Sequence, residues 1–378
     1  MKAARYLFGG LWVVAFVLGL VGVYQRLTNG HMLAGYGSYV VWGLWVAAYA
    51  YFVGLSAGSF LFAALVNVLD VKVLKPLTRA ALWTSFVSIG VAMLAVLLDL
   101  GHMERAFRVF SSPNFSSMMT WMTWLYTAFG ILLGLIAWFI YKKNDAMVKA
   151  LLMVGIPIAI AFPGGGGALF ATLSAKPYWH QPLYPVFFVV GALLSGGALM
   201  AALAAVIWPK RADVMKLMGR IVLGLITLDL ILEWAEFSIP MWYGVNPEKD
   251  VMMQVLTGQY WWVFWIVHIL IGCAVPIYLL LRKPSSPLYV GSAGVLAVTT
   301  FLAVRLNIVI PGQITPELEG LGKAFTDARL SFAYAPTTHE WLVMLFFVTV
   351  GLAGLWLGFR FLPLTHESKE VQRNERAA

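Results

Sequence analysis

The chain has 378 residues, 61% of them hydrophobic and 11% charged, with a formal net charge of +9 and a single cysteine. That balance is far too apolar for a soluble domain, and one thiol excludes an internal disulfide or a cysteine-ligated iron–sulfur cluster. The basic excess does not point to nucleic acid, because in a membrane protein it reflects loop topology.

Apolar stretches of the length a bilayer core requires recur from end to end. They predict an all-α polytopic membrane protein with about ten transmembrane helices, whereas the ten-residue alternation of a lipid-facing barrel is missing. The predicted spans cover 7–24, 39–68, 80–100, 118–141, 148–172, 184–208, 220–241, 259–281, 287–309 and 340–361. The first follows Lys2 and Arg5, but its core of about 18 apolar residues exceeds a signal-peptide h-region and no A-x-A site follows, so it reads as a helix. With the N-terminus cytoplasmic, the inner segments hold 18 of the 26 basic residues, among them Lys72, Arg79, Lys142, Lys210 and Arg282. Ten spans with both termini inside satisfy the positive-inside rule.

A shift of about 140 residues superposes Leu55-Ser56-Ala57-Gly58 on Leu194-Ser195-Gly196-Gly197, Arg79 on Arg220, and Trp124 on Trp265. Spans 2 to 5 thus match spans 6 to 9 in one orientation, predicting two parallel-repeat four-helix bundles, 36–172 and 182–310, with helices 1 and 10 as additions. An outer loop over 311–338, read as a docking surface or a cap on the second bundle, and a cytoplasmic tail over 363–378 complete the single membrane domain. Gly54-x-x-x-Gly58 and Gly130-x-x-x-Gly134 read as helix-packing seams. The run PGGGG at 163–167 is expected to interrupt the fifth span, because each glycine weakens a helix by roughly 1 kcal/mol in water, and to mark a close approach of another helix or of a ligand.

Ionisable groups at membrane depth are costly, so each is a functional candidate. The stretch 97–110, LLDLGHMERAFRVF, places Asp99 on the last turn of the third helix and His102 one turn on. On the seventh helix Asp229, Glu233 and Glu236 recur at i, i+4 and i+7 and share one face. Three acids on one face resist joint ionisation, which suits a proton pathway; pairing with Arg305 or a wet cavity is the competing reading. His268 lies within the eighth span and is grouped with that pathway. It has no second histidine at similar depth on a facing helix, so neither haem nor another metal is expected. Trp121 and Trp124 open the fourth helix beside the Asp99 segment. An aromatic wall with an acid and a histidine suits a lipid-soluble quinone, whose apolar ring enters from the bilayer and whose carbonyl oxygens need proton-exchanging partners. Asp99 and His102 are the candidate catalytic pair. A secondary transporter and a purely structural membrane anchor are the competing functions.

The second span, WGLWVAAYAYFVGLSAGSF at 42–60, and the stretch LDLGHMERAFRVFSSPNFSSMMTW at 98–121 resemble the NrfD/PsrC family of polysulfide-reductase-like membrane subunits, in its ten-helix branch. The resemblance implies a subunit of the bacterial or archaeal cytoplasmic membrane that binds menaquinone or ubiquinone near the outer face of the first bundle. It further implies electron exchange with a ferredoxin-like iron–sulfur subunit docked there, together with a further catalytic or cytochrome subunit, in a respiratory or sulfur-metabolism complex. Carried over by position, Asp99 and Arg105 match the family's acid and arginine, and Trp42 and Tyr49 line the quinone side of the second span. His102 stands where arginine is expected, and the second span lacks the histidine some members use. Tyr49 and Tyr126 are chemical substitutes for that second carbonyl contact.

Overall fold

The computed structural model describes residues 2–242, 247–316, 318, 320–325, 327 and 329–364. The tail beyond 364 lies outside the described residues, and with it most of the segment predicted over 363–378. Among the described residues the architecture is all-helical, built on ten long helices. These are α1 (Lys2–Asn29), α2 (Leu44–Val68), α3 (Thr78–Asp99), α4 (Met118–Tyr141), α5 (Asp145–Ala171), α6 (Tyr184–Ile207), α7 (Ala212–Trp242), α8 (Val263–Arg282), α9 (Pro287–Val309) and α10 (Thr338–Phe361). Nine are long and apolar enough to cross a membrane. The tenth is α7, which carries Asp229, Glu233 and Glu236 within its apolar stretch.

Helices dominate because a backbone in lipid must satisfy its own hydrogen bonds. Helices α2 to α5 close a ring of neighbours, with α5 returning to α2, and α6 to α9 close a second. The rings meet through α2 against α6, α5 against α6 and α9 against α2. Over their apolar windows α2 and α6 are 78% and 72% buried, against 11% for α1, so the two are the central helices. Helix α1 pairs with α10, which rests on α3.

Small residues permit the central crossing. A Cβ at Gly58 would run into the Ala192 carbonyl, and one at Gly196 into the backbone of Gly58 and Ser59. Gly54 faces Ala192 and the Arg305 guanidinium. The Gly54/Gly58 seam is therefore a packing contact, whereas Gly130 and Gly134 meet nothing within 4 Å and form no seam within this chain. The 163–167 run marks a close helix approach, as one of its two readings expected, but not the interruption. Helix α5 continues through Pro157 and Pro163 to Ala171 without a break. Gly167 lies against the backbone of Tyr184 and Pro185 at the start of α6, where any side chain would collide.

The links α2–α3, α4–α5, α6–α7 and α8–α9 are short, whereas those joining α1–α2, α3–α4, α5–α6, α7–α8 and α9–α10 are long and gather at the opposite end. The 310–337 connection crosses back over the start of α2. Gln313 accepts from the Val41 and Trp42 amides through Oε1 (2.9 and 3.0 Å) and donates to the Trp42 carbonyl (2.9 Å). Ser38 N donates to the Arg329 carbonyl (2.9 Å). This connection thus closes over the first ring, and through Gln259 and Tyr260, which both donate to the Tyr334 carbonyl, it also touches the second.

Candidate functional site

The long-loop end holds a surface-open cavity of about 430 Å³, lined by His31, Tyr36, Gly37, Ser38, Val41, Asp99 and Arg329. That volume falls in the range of small-molecule sites. Asp99 ends α3, where Leu100 leaves the helix in an extended conformation. The carboxyl Oδ1 is buried without a hydrogen-bond partner. Opposite it stands the 30–43 loop, tied down at both ends. Arg26, buried at the end of α1, donates to the Leu98 and Leu100 carbonyls (2.7 Å each) and to His31 Nε2 (2.8 Å). His31 Nδ1 lies 2.6 Å from the Tyr36 hydroxyl. Glu340 on α10 accepts the Gly35 amide (3.0 Å), and Arg329 donates to the His31 carbonyl (3.4 Å). Burial lowers the His31 pKa, helped by the Arg26 charge. Burial raises that of the Tyr36 phenol, and the Asp99 carboxylate raises it further.

Of the residues singled out from sequence, Asp99 alone lines this cavity. His102 leaves Asp99 behind, since its side chain is 63% exposed and bonds Glu104 Oε1 at 2.8 Å. Arg105 is likewise exposed, 3.7 Å from Glu104, and the cation at the α3 terminus is Arg26, on the Leu98 and Leu100 carbonyls. Trp42 stacks on Trp179 (5.5 Å) and meets Phe170 edge-on (5.4 Å), on the α5 side of α2. The Tyr49 and Tyr126 hydroxyls bond to each other between α2 and α4. Trp121 and Trp124 are exposed, the first donating to the Phe115 carbonyl (2.8 Å) and the second lying edge-on to Phe110. The members missed from sequence are His31, Tyr36, Arg26 and Arg329. The one signal within reach was a cation and a histidine spaced five residues apart across the end of the first span.

The second ring gathers the other candidates. Asp229, Glu233 and Glu236 line a small cavity of about 20 Å³ with Tyr178 and Asn307, and His268 Nε2 pairs with Glu233 Oε2 at 3.0 Å. The first twelve residues of α8, Val263–Ala274, wind as a π-helix around His268, a geometry often found at functional positions. Arg305 lies between Phe188 and Phe301, 4.3 and 5.1 Å from their ring centres, with Nε and Nη2 unpartnered. Glu236 Oε1 and both amide atoms of Asn307 are also buried without partners. Such orphaned groups signal a polar space that a water can enter. Among the described residues, no three His, Cys, Asp or Glu side chains gather as a metal ion requires.

Residues 33–317 match the family described as "Polysulphide reductase, NrfD". The chain is 31% identical to a selenate reductase subunit of Mesobacillus selenatarsenatis, over 94% of each sequence. It is 28% identical to the Hdr-like menaquinol oxidoreductase integral membrane subunit of Archaeoglobus fulgidus, over 94% of this chain and 93% of the relative. A polysulfide reductase polypeptide of Wolinella succinogenes is 24% identical, with 95% of its length aligned to 72% of this chain. The family match begins before α2 and ends beyond α9. It takes in both four-helix rings, and the chain belongs to the NrfD polysulphide reductase family.

Proposed function

We propose that this protein is the quinone-reactive membrane subunit of an oxidoreductase complex, and that the Asp99 cavity takes the quinone head group. The observation that carries this reading is Asp99, with its Oδ1 buried and unpartnered, lining a cavity of about 430 Å³ together with Tyr36 and His31. Turnover moves two electrons and two protons between a quinone ring and the complex. Asp99 exchanges the protons, and the electrons are exchanged with an iron–sulfur partner subunit docked at the long-loop end. Relatives named as menaquinol oxidoreductase, selenate reductase and polysulfide reductase components support an oxidoreductase over a secondary carrier. Lys72, Lys75, Arg79, Lys142, Lys143, Lys210, Arg211, Arg282 and Lys283 crowd the short-loop end. By the positive-inside rule this supports an outer-facing cavity with cytoplasmic termini, as in a bacterial or archaeal cytoplasmic membrane. Photolabelling of the purified protein with an azido-naphthoquinone should tag residues of the 30–43 loop or the end of α3; tagging confined to the short-loop end would reject the assignment.

The Asp229, Glu233, Glu236 and His268 cluster is the proton pathway of the same proposal. A space for about one water among these groups supports it. In proteoliposomes holding the complex, Glu233→Gln should abolish turnover-linked proton uptake while quinol oxidation continues in the presence of an uncoupler. Uptake at the wild-type ratio would show that the cluster carries no protons.

A further inference from the structure

The Asp99 cavity has a hydrogen-bond polarity set from one side, and the groups that set it lie at its rim. Arg26 is 3% exposed and spends its guanidinium on the Leu98 carbonyl, the Leu100 carbonyl and His31 Nε2. A guanidinium donates and never accepts, so His31 Nε2 is the acceptor and carries no hydrogen. A neutral imidazole then holds its proton on Nδ1, which donates to the Tyr36 hydroxyl oxygen at 2.6 Å. Tyr36, already accepting, has its own hydrogen left for the cavity it lines. The charged and titratable groups facing this relay are Arg26 from α1, Arg329 from the 310–337 connection, Asp99 from α3, and His339 and Glu340 from α10. Burial and the Arg26 charge lower the His31 pKa, against a hydrogen bond to the Leu100 carbonyl that raises it, so the balance favours the neutral ring that this order of donors requires.

Resting on the quinone reading above, we infer that Arg26, acting through His31, fixes Tyr36 as a one-way hydrogen-bond donor to a quinone carbonyl oxygen and leaves Asp99 as the group that exchanges protons. Tyr36 touches the ring, whereas Arg26 and His31 are positioning residues. The two functions expected of one acid–histidine pair are therefore divided, with binding on the 30–43 loop and proton exchange on α3. Arg26 and His31 both precede the 33–317 stretch matched by the family, so this polarity is set from outside the matched region.

The test uses the full-length protein in lipid nanodiscs with menadione, a tail-less naphthoquinone, carrying carbon-13 at one carbonyl or the other. Infrared difference spectra should show one carbonyl band moved to lower frequency. Tyr36→Phe should return that band to its free position and weaken menadione binding about tenfold, the loss of one good hydrogen bond. Asp99→Asn should leave the band shifted. His31→Gln offers an acceptor to Arg26 and a donor to Tyr36 and should keep the shift, whereas His31→Ala should lose it. These substitutions distinguish polarity from mere folding, because Tyr36→Phe removes only a hydroxyl and His31→Gln restores the relay. A shift lost in Asp99→Asn and kept in Tyr36→Phe would overturn the division of roles while leaving the quinone site intact. Menadione that fails to bind the wild-type protein, or binds the wild type, Tyr36→Phe and Asp99→Asn with equal affinity, would overturn the site itself.

Discussion

Asp99→Asn should leave the complex assembled and lower quinol-linked electron transfer by about 10²- to 10⁴-fold, the usual contribution of a positioned proton acceptor. The side chains are the same size, and Asp99 Oδ1 makes no bond that asparagine would break. Arg26 Nε and Nη2 already donate to the Leu98 and Leu100 carbonyls and to His31. Burying a carboxylate without a partner costs folding energy, so the thermal transition should hold steady or rise. The carboxamide cannot take a proton, and only the chemistry suffers. Quinol oxidation by membranes containing the complex, with subunit stoichiometry measured beside it, separates the two effects. Undiminished turnover in a fully assembled variant would remove Asp99 from the mechanism.

Why Asp99 was readable and its neighbours were not follows from range. An acid on the last turn of an apolar helix is anomalous within a window of twenty residues, and composition alone exposes it. The long spans are readable for the same reason, including α7, whose three acids share a face because of a periodicity local to the helix. His102 shows the limit of that logic. Leu100 takes an extended conformation and the backbone turns out of the bundle, so three residues of sequence separate two side chains that face different surroundings. The rest of the cavity comes from the 30–43 and 310–337 connections, which meet across about three hundred residues through Ser38, Gln313 and Thr337. Apolar patterning carries no information about which loops meet. The glycine run at 163–167 signals the approach of another helix but misleads about a break, for another reason. A propensity measured in water assumes that a broken helix finds solvent partners, and lipid offers none, so α5 continues and the glycines serve the approach to α6.

The second large effect concerns the clamp on the cavity wall. Glu340→Ala should destabilise the protein by about 3–5 kcal/mol, the range for removing one member of a buried, charge-assisted network, and should abolish quinone binding as well. Glu340 is fully buried. Its Oε1 accepts the Tyr334 hydroxyl (2.5 Å) and the Leu44 amide (3.4 Å). Its Oε2 accepts the Gly35 and Thr337 amides (3.0 Å each), completing a capping box at the start of α10. One carboxylate thus joins the 30–43 loop, the start of α2 and the 310–337 connection. Alanine leaves these donors facing apolar surroundings, and each stranded donor costs about 1–3 kcal/mol. Gln313 holds Val41 and Trp42 independently, so the loop should loosen at the His31–Tyr36 end first, where the proposed quinone contact lies. Thermal denaturation in nanodiscs and menadione binding on the same sample measure the two consequences together. Binding retained despite a lowered transition temperature would show that Gln313 and Arg26 alone hold the wall in place, and that Glu340 serves the fold without shaping the cavity.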